Sequence, residues 1–115
     1  MKYTTSLKKN YEFRRLYNKG KSTASKYVAV YIRRNGKSEN RLGLTVSTKL
    51  GGAVERNRIR RRLKEVYRIN EHLLHTGYDI VLVARMSSKE AKWSELEASA
   101  LALFAKLGLY QKREL

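Results

Sequence analysis

The chain has 115 residues, with 26 lysines and arginines against 10 acids, a formal charge of +16 and no cysteine. That length supports one small core and not two, so residues 1–115 are expected to form a single domain. A charge balance this basic implies a polyanionic partner, nucleic acid before a membrane surface, and the missing cysteines exclude disulfides and thiolate metal sites. No apolar stretch approaches the length of a membrane span, and Met1 to Lys9 lacks an apolar signal core. The expected setting is therefore the cytoplasm, with no membrane partner.

Residues before Leu7 read as a mobile basic arm. Asn10 is an acceptable N-cap, Tyr11 to Lys19 are helical, and Gly20 suits the C-terminal stop. Phe13, Leu16, Tyr17 and Gly20 recur at helical spacing; core packing is the default role of that face, and the polar tip of Tyr17 suits it to reach a surface. From Lys26 to Arg34 the period becomes two: Val28, Val30 and Ile32 point one way, and Tyr27, Tyr31 and Arg33 the other. The first side faces a core. The second is either a platform for stacking unpaired bases or simply the tyrosines common in strands. Asn35 to Asn40 is a turn-rich connection to an antiparallel neighbour, where Leu42, Leu44 and Val46 alternate with Gly43, Thr45 and Ser47. Lys49-Leu50-Gly51-Gly52 then leads into a helix. Glycines there permit close backbone approach, and helix N-terminal amides bind phosphate, but the spacing is not that of a nucleotide-binding loop.

The helix predicted from Ala53 to Leu74 organises the chain. Between Arg56 and Arg68 it carries seven cations (Arg56, Arg58, Arg60, Arg61, Arg62, Lys64, Arg68) and one anion, Glu65. On a helical projection Ile59, Leu63, Val66, Tyr67, Ile69, Leu73 and Leu74 gather within about 80° of one direction. Asn57, Arg60, Arg61, Lys64 and Arg68 fall opposite, with Arg56 and Arg62 at the borders. A solvated face or a disordered tail is the ordinary meaning of a charge run, but a tail has no apolar stripe in phase. Like charges crowded on one face also destabilise it unless a polyanion neutralises them. Arginine dominates, and its planar fork grips phosphate and stacks on bases.

Beyond Gly77, Ile80 to Ala84 are continuously apolar, as in a strand buried on both faces and often parallel to a neighbour. Strand, helix, buried strand makes a βαβ unit. Ser87 with Glu90 and Ser94 with Glu97 offer alternative capping boxes for a last helix whose Trp93, Leu96, Ala100, Leu103, Phe104 and Leu107 cover the sheet. The fold class is α/β, a small sandwich on a mixed four-stranded sheet. Its order is αβββαβα-like, or αββαβα if no bend near Ser22 to Tyr27 splits the first long strand.

Catalytic chemistry is hard to find. The acids are scattered, and Glu65 is spaced to orient Arg61 or Arg68. His72 and His75 lie three apart on a helix with no third ligand nearby. The residues suit a chain that holds RNA without cutting it, with no small-molecule substrate. A ribosomal or general RNA-binding protein fits the composition equally well, and an autonomous nuclease built on His72 and His75 is the rival from another class.

The run Ala53-Val54-Glu55-Arg56-Asn57-Arg58-Ile59-Arg60-Arg61-Arg62-Leu63-Lys64-Glu65 separates these readings. With Phe13 and Gly20, Gly43 to Ser47 with Lys49, and the apolar strand ending Ala84-Arg85, it resembles the protein subunit of bacterial ribonuclease P over nearly the whole chain. Arg60 stands where that family often has lysine and Lys64 where it has arginine; the second change loses a bidentate fork. The resemblance implies a noncatalytic subunit of an enzyme whose large RNA removes the 5′ leader of precursor tRNA with Mg²⁺ bound mainly by the RNA. Ribonuclease P RNA and precursor tRNA are the implied partners. RNA contact is expected from Lys49, Arg56, Asn57, Arg58, Arg60, Arg61, Lys64 and Arg68. A leader cleft is expected at Phe13, Tyr17, Tyr31 and Arg33, between the basic helix and the sheet. The family also implies a left-handed βαβ crossover, against the usual right-handed rule.

Overall fold

Strand β5 (Tyr78–Ala84) occupies the middle of the sheet, as its unbroken apolar run requires. In this computed structural model, which describes residues 1–110, the remaining elements are β1 (Thr4–Ser6), α1 (Asn10–Lys19), β2 (Lys21–Ala24), β3 (Val28–Arg34), β4 (Asn40–Thr45), α2 (Ala53–Asn70) and α3 (Trp93–Lys106). The sheet order is β1-β4-β5-β3-β2. Strands β1, β4 and β5 run parallel to their neighbours in that half, whereas β3 is antiparallel to both β5 and β2. Alternation along β5 divides the core. Ile80, Leu82 and Ala84 meet Leu63, Val66 and Tyr67 of α2 and Leu96, Ala100 and Phe104 of α3. Val81, on the opposite face, packs with Leu7 and with Leu16 of α1, and Phe13, Tyr31 and Val83 surround them. The architecture is the expected mixed α/β sandwich, with α1 on one face and α2 and α3 on the other.

Several expectations need correction. The sheet has five strands, because residues before Leu7 are not a loose arm but contribute β1 along the edge of β4. The Glu71 carboxylate is the reason: it accepts from the backbone N–H of Lys2 (3.0 Å) and Tyr3 (3.3 Å) and from the Thr4 hydroxyl. Asn35 to Asn40 does turn the chain, with Gly36 at φ 71°, but β4 does not pair with β3. β5 lies between them, since the most apolar strand is the one that gains from having both edges and both faces covered. The bend before β3 does split the first long strand. There the Ser25 hydroxyl accepts from the N–H groups of Tyr27 and Val28 at 3.2 Å, and the break in alternation turns Tyr27 towards α3, where its hydroxyl donates to Glu95. Tyr27 is thus not on the Tyr31 face.

Helix α2 ends at Asn70, continued by a 3-10 turn at Glu71–Leu73; Ile69, placed in the apolar stripe, is 42 % exposed. Neither expected capping box starts α3. Glu95 instead accepts from the backbone N–H of Lys92 at 2.9 Å, and Trp93, 38 % exposed, stands outside the core cluster. Lys9, not Asn10, is the N-cap of α1.

A buried polar network fastens the β1 edge to the end of α2. The Asn40 side chain donates to the Tyr67 hydroxyl (3.2 Å) and the His75 carbonyl (3.0 Å) and accepts from the Tyr78 N–H (2.9 Å). Tyr67 shares a 2.8 Å hydrogen bond with Thr4. Each buried group left without its partner costs about 1–3 kcal/mol, so Asn40→Ala should lower the unfolding free energy by at least that much. Urea denaturation checks this, and an unchanged midpoint would mean that water replaces the amide without loss.

Candidate nucleic-acid interface

Packing sets the orientation of α2. Ile59, Leu63, Val66 and Tyr67 are buried, so the rest of the helix surface must face outward. Arg58, Arg61, Lys64 and Arg68 are exposed, as are Asn57 and Lys49, whereas Arg56 and Arg60 are half-buried. Two polar partners hold the ridge in shape. Asn57 accepts from Arg60 at 2.7 Å. Glu65 takes two hydrogen bonds from Arg68, which hold its carboxyl below the usual range and raise the guanidinium's pKa in turn. Glu65 therefore neutralises Arg68 and leaves Arg61 free of that bond. Arg62 turns inward instead, donating to the Ala91 carbonyl at 2.6 Å. The Nε of Arg56 is buried with no hydrogen-bond partner among the described residues. Lys49 sits in the 3-10 turn Thr48–Leu50 just before α2, its N–H donating to the Ser47 hydroxyl.

The second group lies on the α1 face of the sheet. Phe13 rests on β4, where a Cβ at Gly43 would fall 2.6 Å from its ring carbons; only glycine lets the ring settle there. Tyr17 and Tyr31 meet edge to face, with centroids 5.0 Å apart, and the Tyr17 hydroxyl is 2.7 Å from that of Thr45. Strand register adds residues that alternation alone could not assemble. Ala24, Ala29, Val83 and Thr45 stand side by side across β2, β3, β5 and β4, a row of small, mostly half-exposed side chains beside the two tyrosines. Arg33 is not part of this group. In the strand register it stands opposite Asp79, two residues beyond Tyr31 and away from Thr45, and it lines a hollow with Lys19 and Lys21.

Helix α1 is fixed over the sheet by charge. Arg41 grips Asp79 with two hydrogen bonds of 2.8 and 2.7 Å and also pairs with Glu12. These contacts, the Asp79 bonds first, push the arginine's pKa up.

The two groups approach each other around the β1–β4 edge. A hollow of about 350 Å³ there is lined by Leu7 and Phe13 from the α1 face of the sheet, by Leu42 and Leu44 of β4, and by Arg60, Arg61 and Lys64 of α2. An aromatic and apolar wall thus faces a cationic one. His72 and His75 are both exposed, and among the described residues no group of three or more His, Cys, Asp or Glu side chains is placed to hold a metal ion. No helix among the described residues is long and apolar enough to cross a membrane.

Comparison with known proteins agrees with this geometry. The family model Ribonuclease P matches residues 1–108. The ribonuclease P protein component of Alkaliphilus metalliredigens is 44 % identical over 109 residues, covering 95 % of this chain and 98 % of the relative. The Staphylococcus aureus RNase P protein superposes with a TM-score of 0.83 at 32 % identity, covering 95 % of this chain and 98 % of that one. A mutant of the S. aureus protein with defective mRNA degradation activity superposes with the same TM-score and identity, covering 91 % of its own chain. On sequence and on fold, the chain belongs to the ribonuclease P protein family, the protein component of a tRNA-processing ribonucleoprotein.

Proposed function

We propose that the chain acts as one RNA-binding unit in the cytoplasm, docking on the catalytic RNA of ribonuclease P and holding the single-stranded 5′ leader of precursor tRNA. What supports this most is the hollow where Phe13 faces Arg60, Arg61 and Lys64. A single strand needs stacking surfaces for its bases and cations for its backbone, and here the two are adjacent. The leader runs over the small-residue row beside Tyr17 and Tyr31, with its phosphates towards α2. Mg²⁺ is bound by the RNA in this reading. The chain's own contribution is to neutralise phosphates, so that the RNA folds and takes up its metal at lower concentration. No residue of the chain carries a bond-breaking step.

The direct test adds the chain to a bacterial ribonuclease P RNA and precursor tRNA at low Mg²⁺. Leader removal should rise sharply; no enhancement would end the subunit assignment. The chain alone, freed of RNA, should cut neither precursor tRNA nor an unstructured messenger RNA. Cleavage that His72→Ala abolishes would make it an autonomous nuclease instead.

Phe13→Ala or Tyr31→Ala should weaken binding of leader-bearing substrate by about 1–3 kcal/mol, the usual worth of a base stacked on an aromatic ring. Leaderless tRNA should be almost unaffected, and an equal loss on both would point to a damaged fold. Gly43→Ala should mimic Phe13→Ala in the same assay, because the new methyl displaces the ring.

Affinity for RNA should fall steeply with salt, log K losing about 0.7 per log unit of salt for each single-strand phosphate contact released. A flat salt titration would remove α2 as the docking surface.

A further inference from the structure

The cationic ridge of α2 has a second flank. Arg61 and Lys64 line the hollow towards Phe13, and they also line another of about 510 Å³ on the side of α3. Arg58, Arg62 and Arg68 join them there, and the aromatic residue in this wall is Trp93. Glu65 lies in the same wall, already engaged by Arg68. Trp93, the single tryptophan of the chain, is 38 % exposed at the first turn of α3. Its position is built. Arg62 reaches across from α2 to the carbonyl of Ala91, two residues before the indole, tying the start of α3 to the basic helix. A large ring left this open loses burial energy. Glu65 answers Arg68 alone, and Arg58, Arg61 and Lys64 have no ion-pair partner among the described residues, so charge complementarity specifies a polyanion with a flat apolar group, which is an unpaired nucleotide.

We propose that Trp93 and the adjoining arginines form a second stacking site, which takes an unpaired base of the catalytic RNA. The ridge then has two sides. Arg60 serves the leader side, Arg58 and Arg68 serve the catalytic RNA with Trp93, and Arg61 and Lys64 stand between. This inference rests on the proposed docking to catalytic RNA, and the experiment separates the two.

The full chain is titrated with a bacterial ribonuclease P RNA transcript while tryptophan emission is excited where tyrosine does not absorb. Filter retention measures binding in parallel. Saturating RNA should quench the emission strongly, since a stacked base is an efficient quencher, whereas a short leader oligonucleotide should bind with little change. Trp93→Ala should weaken affinity for the transcript by roughly 5- to 150-fold, Trp93→Phe should restore most of it, and the leader's contribution to substrate binding should be unchanged in both. Tight binding of the wild-type chain with unaltered emission overturns the Trp93 site and leaves the subunit reading standing. Failure to bind the transcript at all overturns both. If Trp93→Ala proves unfolded, the wild-type quenching and the Trp93→Phe affinity still decide.

Discussion

The structure depends on the opposition between the two faces of α2. Crowding cations at spacings of three and four residues costs a few tenths of a kcal/mol per pair, on the order of 1–3 kcal/mol over the helix. Burying Ile59, Leu63, Val66 and Tyr67, each at most 5 % exposed, contributes about 1.5–3 kcal/mol for each side chain. Burial wins by a clear margin, so the helix can hold its arginines in place with a single carboxylate, Glu65, between Arg56 and Arg68 to answer them. In the proposed docking, the residual repulsion is the part that RNA would relieve, by exchanging it for phosphate contacts and released counterions. A helix with balanced charge would be more stable alone and would have less to offer RNA.

The placement of β5 gives that ridge something to work beside. Because β5 separates β3 from β4, the strands of Tyr31 and Thr45 lie two strand spacings apart, about 10 Å, with Val81 and Val83 of β5 forming the floor between them. Had β3 and β4 paired directly, the tyrosine pair and the Phe13 seat at Gly43 would have collapsed together. Both ends of the platform are pinned by charge or polar bonds. Arg41, Asp79 and Glu12 hold the start of α1 over the sheet, and Glu71 with Thr4, Tyr67 and Asn40 holds β1 along the edge. The edge strand thus brings Ser6 and Leu7 to the hollow where the aromatic and cationic walls meet.

Two glycines show how local constraints serve the site. Gly43 has no room for a Cβ under Phe13, so its absence of a side chain is a packing requirement. Gly51 adopts φ 131° just before α2, a backbone conformation that other residues rarely take. It turns the chain from the 3-10 turn at Thr48–Leu50 into the basic helix.

Much of this was legible in the residues themselves, because it is set by periodicity. The amphipathic α2, the core side of β3 at Val28, Val30 and Ile32, and the double-sided burial of β5 each follow from spacing along one element. The family could be read from the run Ala53 to Glu65, whose residue types and spacing are narrow. What the chain order could not convey was pairing between distant segments. That β5 enters between β3 and β4, that the N-terminal residues form β1 on Glu71, and that Trp93 leaves the core to stand beside Arg58 and Arg62 are outcomes of competition for burial and hydrogen-bond partners far apart in sequence. Spacing determines which side chains share a face; only the folded chain decides which faces meet, because that choice minimises unpaired polar groups and exposed apolar surface over the whole molecule at once.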